Sequence, residues 1–233
     1  MMTDIFSGFD EQNLTFLAST LPLWSLTFLP MILLHWNMWV TMERWTTILL
    51  KPINFITMQV ERANGHKLPG FLLVISTLFL LIIMCNLSGL APYIFSLTSH
   101  LVFSFSLGFL MWTSLISSGI CYSLTHVVAH FLPSGAPSVL NPFLVLIETV
   151  SICVRSITLC IRLTANMSAG HIILGLVGSY MSISLFNILN GTMVILAGVE
   201  VFYFMFEMGI CLIQAYIFCL LLTLYSNDHP LKW

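Results

Sequence analysis

The stretch from Leu68 to Ile147 contains no Asp, Glu, Lys or Arg. Because a membrane-crossing helix needs about 20 predominantly apolar residues, this interval alone has room for up to three spans. The whole chain of 233 residues is 58% hydrophobic and 7% charged, whereas about 25% of the residues of a soluble domain are charged. The sequence therefore predicts an all-α integral membrane protein, arranged as a single membrane domain over residues 1–233.

The charge composition excludes several function classes. The formal net charge is −2 and the basic residues form no block, so we expect no nucleic-acid partner. No lysine follows a glycine, and a phosphate-binding G-x-x-x-x-G-K loop is therefore absent. The N-terminus carries Asp4, Asp10 and Glu11 where a signal peptide would be positively charged. We expect insertion where the chain is made, by a bacterial or organellar ribosome.

The N-terminal third is predicted to contain one span followed by a surface segment. Residues 14–40 form the first span, whose prolines are tolerated by a tilted or kinked helix. Residues 43–67 contain four of the seven Lys and Arg residues, with Pro52, Pro69 and Gly70 as helix breakers. We interpret this segment as amphipathic and bound to the membrane surface. The positive-inside rule places it on the cytoplasmic or matrix side and the N-terminus on the opposite side.

Residues 71–122 are predicted to form a membrane hairpin. Two apolar runs, Phe71–Leu87 and Leu101–Tyr122, are separated by a short connection that contains Gly89 and Pro92. Both runs are free of charged residues and long enough to span a bilayer. With the segments before and after this hairpin, the chain is predicted to contain about five to six helices.

The C-terminal part, residues 138–226, contains two unusually long apolar runs, Pro142–Gly178 and Ile188–Ser226. A continuous helix of such length reaches about 55 Å, whereas the apolar core of a bilayer is about 30 Å thick. Either each run breaks into two spans, or each is one steeply inclined helix. Because neither run contains an internal turn signal, we favour a pair of long, steeply inclined helices.

Polar side chains recur at intervals of seven residues on both long runs. They are Glu148, Arg155 and Arg162 on the first run and Glu200, Glu207 and Gln214 on the second. Seven residues return a helix to within about 20° of the same face, so each run carries a polar stripe. A charge at bilayer depth costs from about 2.5 to over 10 kcal/mol and usually marks an ion or substrate path. The alternative is that these charges only neutralise one another in structural ion pairs.

Buried glutamate and histidine can exchange protons near neutral pH, whereas arginine stays protonated. Glu207 and His171 are therefore candidate relays, and Arg162 is a candidate barrier. His171 follows Arg162 by nine residues, which places it on the opposite face of an ideal helix. Either Gly170 bends the helix, or His171 faces the second long run while Arg162 faces another partner.

A second histidine pair, His126 and His130, has the i, i+4 spacing of metal ligands. No third ligand or intervening glutamate accompanies it, and the segment ends near Pro133. We interpret the pair as interfacial or packed, and we expect no metal site and no cofactor.

Four segments resemble subunit a of the mitochondrial F-type ATP synthases, in its short animal form. They are the runs Ala129–Pro137, Ile147–Thr149, Arg162–His171 and Leu212–Phe218. The resemblance covers nearly the whole chain. It implies a non-catalytic stator subunit of the F0 sector, with two proton half-channels and inclined helices packed against a ring of c-subunits. Further implied partners are subunit b, other peripheral-stalk or small membrane subunits, transported protons and the bilayer of the mitochondrial inner membrane.

The resemblance also implies roles for individual residues. Arg162 matches the essential charge at the boundary with the ring. The implied access half-channel from the intermembrane side consists of Asn166, His171, Glu207 and Gln214, and the implied matrix-side exit consists of Glu148 and Asp228. Two departures from the family pattern leave open whether Arg155 and Glu200 are functional or structural. Arg155 precedes Ser156 where the family often has proline, and Glu200 is an additional acid.

Three rival interpretations remain at this point. A proton-pumping subunit of a respiratory complex would also carry intramembrane Glu, His and Arg, but more typically shows a lysine within a span. An intramembrane metalloenzyme would have to use His126 and His130. A purely structural membrane subunit would tolerate changes in the polar stripes.

Overall fold

The computed structural model describes residues 9, 44–91, 94–131, 140–186, 190–227 and 229. These residues form six α-helices and no strand. The helices are α1 Arg44–Glu61, α2 Phe71–Gly89, α3 Leu101–Tyr122, α4 Leu124–His130, α5 Asn141–Phe186 and α6 Asn190–Asn227. The prediction of an all-α membrane protein with about six helices is confirmed for this part of the chain. The predicted first span, residues 14–40, lies outside the described residues.

Four helices, α2, α3, α5 and α6, are long and apolar enough to cross a membrane. Their outward faces carry large apolar side chains that water would not solvate favourably. Val102 on α3 is 77% exposed and Phe202 on α6 is 76% exposed. In a bilayer such faces contact lipid or partner helices, while the backbone polar groups are satisfied within each helix.

The two long C-terminal helices are uninterrupted in the described residues. Helix α5 contains 46 residues and α6 contains 38, so neither apolar run breaks into two spans. At 1.5 Å per residue these helices are about 69 and 57 Å long, well above the thickness of a bilayer core. Their length agrees with the favoured interpretation, and their inclination in the membrane stays a prediction.

Helix α1 continues through Pro52, so the prediction of a break there is wrong. Proline removes one backbone donor and costs roughly 3 kcal/mol inside a helix, but that is not enough to end α1 here. The helix is amphipathic, with Ile56 and Val60 buried on one face and Lys51 exposed. The chain does turn at Gly70, whose φ of 82° suits a residue without a Cβ atom.

The chain divides into two compact units, which we describe separately. Unit 1 comprises residues 1–47, 81–100 and 163–215, and unit 2 comprises residues 48–80, 101–162 and 216–233.

Close helix packing in unit 2 depends on Gly108 of α3. A Cβ atom at this position would lie 2.5 Å from Sγ of Cys160 and 3.2 Å from a methyl group of Leu159. Only glycine therefore allows α3 to approach α5 this closely. In the same unit the backbone N–H of Asn64 donates to Oδ1 of Asn227 at 2.9 Å, which joins the 3₁₀ turn after α1 to the end of α6.

The core of unit 1 mixes apolar and polar side chains. Leu90, Met167 and Cys211 form a buried cluster that joins the end of α2 to α5 and α6. The connection after α2 is also buried, including Thr98, which is 0% exposed. Asn86 of α2 is likewise 0% exposed, and its amide donates to the carbonyl of Cys211 at 3.5 Å. Unit 1 therefore contains a polar interior within apolar helices.

Candidate functional site

Glu207 of α6 is the buried carboxylate of unit 1. Glu207 is 2% exposed, although burying a charge without partners is costly. The hydroxyl of Tyr203, one turn earlier on the same helix, donates to Oε1 of Glu207 at 2.7 Å. The second oxygen, Oε2, is buried and has no hydrogen-bond partner within the described part of the chain. One oxygen of this carboxyl group is therefore anchored, and the other is not.

Gly170 of α5 makes room for this carboxylate. A Cβ atom at Gly170 would lie 2.5 Å from Cδ of Glu207 and 2.5 Å from Oε2, distances that real Cβ atoms do not tolerate. The carboxyl group therefore rests directly against the backbone of α5. Helix α5 is continuous through Gly170.

His171 follows Gly170 and is half-buried. Its ring is hydrogen-bonded to the backbone of Gly89 at the end of α2. It also meets the ring of Phe9 edge-on, with centroids 6.1 Å apart. Its Nε2 atom is buried and makes no hydrogen bond to the described residues. A neutral imidazole with one nitrogen held and the other unengaged can accept or donate a proton.

A second contact joins α5 to α6 in unit 1. The side-chain amide of Asn166 donates to Oε1 of Gln214 at 3.0 Å, and Gln214 is only 5% exposed. Neither amide changes charge near neutral pH, so the pair can offer hydrogen bonds to water or to a passing proton carrier but cannot store a proton. The four residues that the resemblance assigns to an access path, Asn166, His171, Glu207 and Gln214, all lie in unit 1, and their assignment stays a prediction.

The first polar stripe lies on α5 in unit 2 and is considerably more open. Arg155 and Arg162 are exposed, and Glu148 is half-buried. The Arg155 guanidinium lies 5.6 Å from the centre of the Tyr225 ring, within the range of a cation–π contact. Buried residues of the same helix, Leu159 and Cys160, face the unit interior. The Arg162 side chain therefore points away from the packed face of α5.

Of the other predicted site residues, those that the structure describes have no side-chain contact to report. Glu200 of α6 is half-buried, and Asp228 lies outside the described residues. His126 is exposed on α4. Among the described residues no group of three or more His, Cys, Asp or Glu side chains could hold a metal ion.

Two contributors to unit 1 were missed by the sequence reasoning. Tyr203 lies four residues before Glu207, a spacing that places both on one helix face, so this neighbour was visible in the sequence. Asn86 lies in the uncharged apolar run Phe71–Leu87, where no motif or spacing singles it out. Its burial depends on packing between α2 and α6, which no local sequence pattern indicates.

In the described part of the chain, four helices long and apolar enough to cross a membrane, with a buried carboxylate on one of them, indicate an integral membrane protein with a titratable group on a spanning helix. Such groups are typical of ion-translocating proteins.

Comparison with known proteins agrees with this class. Residues 14–227 match the family described as ATP synthase A chain. ATP synthase subunit a of Albinaria caerulea is 40% identical over 99% of this chain and 100% of the relative. The corresponding subunit of Aedes aegypti is 38% identical over 98% and 99%. The ATP synthase F(0) complex subunit a of Rhopalosiphum padi is 32% identical over 98% and 100%. The chain belongs to the ATP synthase A chain family, as the motif resemblance indicated, and a respiratory-complex subunit is not favoured.

Proposed function

We propose that this chain is the proton-translocating stator subunit of a mitochondrial F-type ATP synthase, placed beside a rotating ring of c-subunits. The family match and the animal relatives support this assignment. Subunit b and other peripheral-stalk or small membrane subunits are further proposed partners. The basic segment, residues 43–67, faces the matrix, and the N-terminus faces the intermembrane space, in keeping with the positive-inside rule.

The proposed access half-channel lies in unit 1. Protons arrive from the intermembrane side at His171 and Glu207, whose unengaged atoms are Nε2 and Oε2. Asn166 and Gln214 supply neutral hydrogen-bonding groups along the same path. The single observation that carries this proposal is the buried Glu207 carboxylate, which has one anchored and one available oxygen. Burial of a carboxylate that is only partly hydrogen-bonded costs free energy and adds nothing to packing. A role in proton exchange accounts for keeping it there.

The proposed exit half-channel uses Glu148 and Asp228 on the matrix side. Glu148 is half-buried on α5, which leaves its carboxylate accessible to water. A proton released by the ring can pass through such a group because carboxylates exchange protons rapidly with solvent.

Arg162 acts between the two half-channels. A proton delivered from unit 1 neutralises a ring carboxylate, which can then enter lipid without a bare charge. When that carboxylate completes its rotation, the guanidinium of Arg162 favours its ionised form, and the proton leaves through the exit. The permanent positive charge also opposes direct proton leakage. Each charge that moves down the potential releases about 2.3 kcal/mol per 100 mV, and rotation transmits this work to ATP synthesis.

A cysteine crosslink tests the proposed partner and the proposed face of α5. In the assembled complex, the Arg162→Cys variant is combined with a single cysteine near the carboxylate of the ring helix and treated with a mild oxidant. We expect a reductant-sensitive product that contains both subunits. The parent chain is the matched control, since its exposed Cys121 and Cys153 report background crosslinking. If the ring copurifies but only background product forms, Arg162 does not face the ring.

A further inference from the structure

Tyr203 is part of the Glu207 site, although no feature of the proposed half-channels assigns it a role. Its hydroxyl donates to Oε1 of Glu207 at 2.7 Å, within the range expected for a strong hydrogen bond to an ionised acceptor. Tyr203 itself is half-buried, whereas Glu207 is 2% exposed. The phenol therefore reaches inward from a more open position and fixes one oxygen of a buried carboxylate.

The two oxygens of Glu207 are consequently not equivalent. Both oxygens lie beside the backbone of Gly170, but Oε1 is held by Tyr203, whereas Oε2 has no partner in the described part of the chain. Without a donor on Oε1 the carboxyl group could rotate about its terminal torsion, which has a broad, roughly two-fold profile. The hydrogen bond selects one orientation of the carboxyl group and leaves Oε2 as the oxygen that is not held by the phenol.

We propose that Tyr203 is a positioning residue for proton transfer through Glu207. This inference rests on the proposed role of Glu207 in the access half-channel. Oε2 takes a proton from the intermembrane side and the carboxylate becomes a neutral carboxylic acid, while Oε1 keeps the hydrogen bond from the phenol. Oε2 then gives the same proton to the next acceptor, which restores the carboxylate. Tyr203 keeps its own proton throughout.

Two titratable groups of unit 1 besides Tyr203 belong to the surroundings of Glu207. Cys211, one turn after Glu207 on α6, interacts electrostatically with the carboxylate. His171 follows Gly170 on α5, the residue against which the carboxyl group packs. Of these neighbours, the Tyr203 hydroxyl is the one seen to donate a hydrogen bond to Glu207. A hydrogen bond of this kind is stronger when its acceptor is ionised, so its loss should change the pH dependence of proton transfer at this site.

The Tyr203→Phe variant removes the hydroxyl and preserves the ring. We expect the pH profile of ATP-driven proton pumping, measured in vesicles that contain the intact complex, to shift by about one pH unit toward alkaline values. This size corresponds to the loss of one hydrogen bond to a charged group. Tyr180→Phe is the matched control, because Tyr180 lies in the same unit but is 57% exposed, and its profile should stay unchanged. A wild-type profile for Tyr203→Phe in a fully assembled complex would overturn the inference.

The same change in a Glu207→Gln background separates the inference from the proposed function. A glutamine side chain cannot titrate, so adding Tyr203→Phe should leave the pH profile of the Glu207→Gln variant unmoved. A further shift of similar size would show that Tyr203 acts through another group. If the Glu207→Gln variant alone pumps like wild type, Glu207 is not a proton relay, and the inference about Tyr203 is wrong as well. If Glu207→Gln impairs pumping and Tyr203→Phe does not alter the profile, only the role of Tyr203 is lost.

Discussion

The polar residues of unit 1 and those of unit 2 differ in the kind of charge that they carry. In unit 1 the described residues of the spanning helices include two acids, Glu200 and Glu207, and no Lys or Arg. The neighbours of Glu207 and Gln214 are neutral hydrogen-bonding side chains. In unit 2, helix α5 carries the half-buried acid Glu148 together with the permanent charges of Arg155 and Arg162, both exposed.

This difference corresponds to two functions that a proton path requires, proton relay and a barrier against leakage. A group that relays a proton must be able to lose and regain it, as the carboxyl group of Glu207 can. A barrier must keep its charge at every pH, which among side chains only arginine does reliably. We therefore expect substitutions in unit 1 to change rates and pH dependence, and substitution of Arg162 to abolish coupling.

The largest effect is expected for Arg162→Ala. Loss of the permanent charge removes both the preference for an ionised ring carboxylate and the obstacle to leakage, so proton-driven ATP synthesis should disappear while assembly survives. ATP synthesis in energised membranes and native gels of the complex measure the two properties. Arg155→Ala is the matched control on the same helix and should retain most activity. Normal synthesis in the Arg162→Ala membranes would contradict the assigned barrier.

The next largest effect is expected for Glu207→Gln. Removal of the titrating oxygen should slow proton entry on the order of tenfold, equivalent to about 1.4 kcal/mol on a barrier, with partial coupling retained. Proton uptake by energised vesicles over a pH series measures this change. Glu200→Gln, seven residues earlier and half-buried, is the control and should have a smaller effect. If Glu200→Gln and Glu207→Gln slowed proton entry equally, Glu207 would not have a role distinct from that of Glu200.

A smaller, several-fold loss is expected for Gly170→Ala. The added methyl group occupies the place of the Glu207 carboxyl group and must displace it, at a typical overpacking cost of 1–3 kcal/mol. Gly175→Ala on the same helix meets nothing within 4 Å and provides the control. Proton pumping and thermal stability, measured together, show whether displacement or unfolding causes the loss. Unimpaired pumping by Gly170→Ala would show that the position of the carboxyl group does not matter.

The smallest effect is expected for Asn166→Ala. The change leaves Oε1 of the buried Gln214 without its donor at a cost of about 1–3 kcal/mol, so the melting temperature of the purified complex should fall by a few degrees. Proton pumping should decline less than in Gly170→Ala. Asn54→Ala, on the exposed surface of α1, is a control for loss of an amide. If Asn166→Ala abolished pumping as completely as Arg162→Ala, the neutral amide would be as essential as the permanent charge, and the comparison between the two units would be wrong.

Much of the fold could be predicted because the apolar runs are bounded by clear signals. The Pro69–Gly70 pair and the absence of charge placed α2 and α3 nearly at their observed ends. The length of α5 and α6 followed from the lack of internal breakers. The prediction failed at Pro52, because a single proline ends a helix only when its cost is not met by packing, and Ile56 and Val60 of α1 are both buried.

The candidate site could be predicted less completely. The seven-residue spacing identified Glu207 and Gln214, since helix periodicity is a local property of the sequence. The contact of Glu207 with Gly170 and the burial of Asn86 depend on residues far apart in the chain. No periodicity encodes such contacts, which result from how α2, α5 and α6 pack within unit 1.

Two contacts in unit 1 also restrict how the length of this chain can vary during evolution. Asn166 meets Gln214 and Gly170 meets Glu207, so α5 and α6 run antiparallel between these points. One inserted residue between Glu207 and Gln214 would rotate the two side chains by about 100° relative to each other. One of the contacts would then be lost. Insertions and deletions should therefore be absent from this interval in functional relatives, even where the amino acids within it differ.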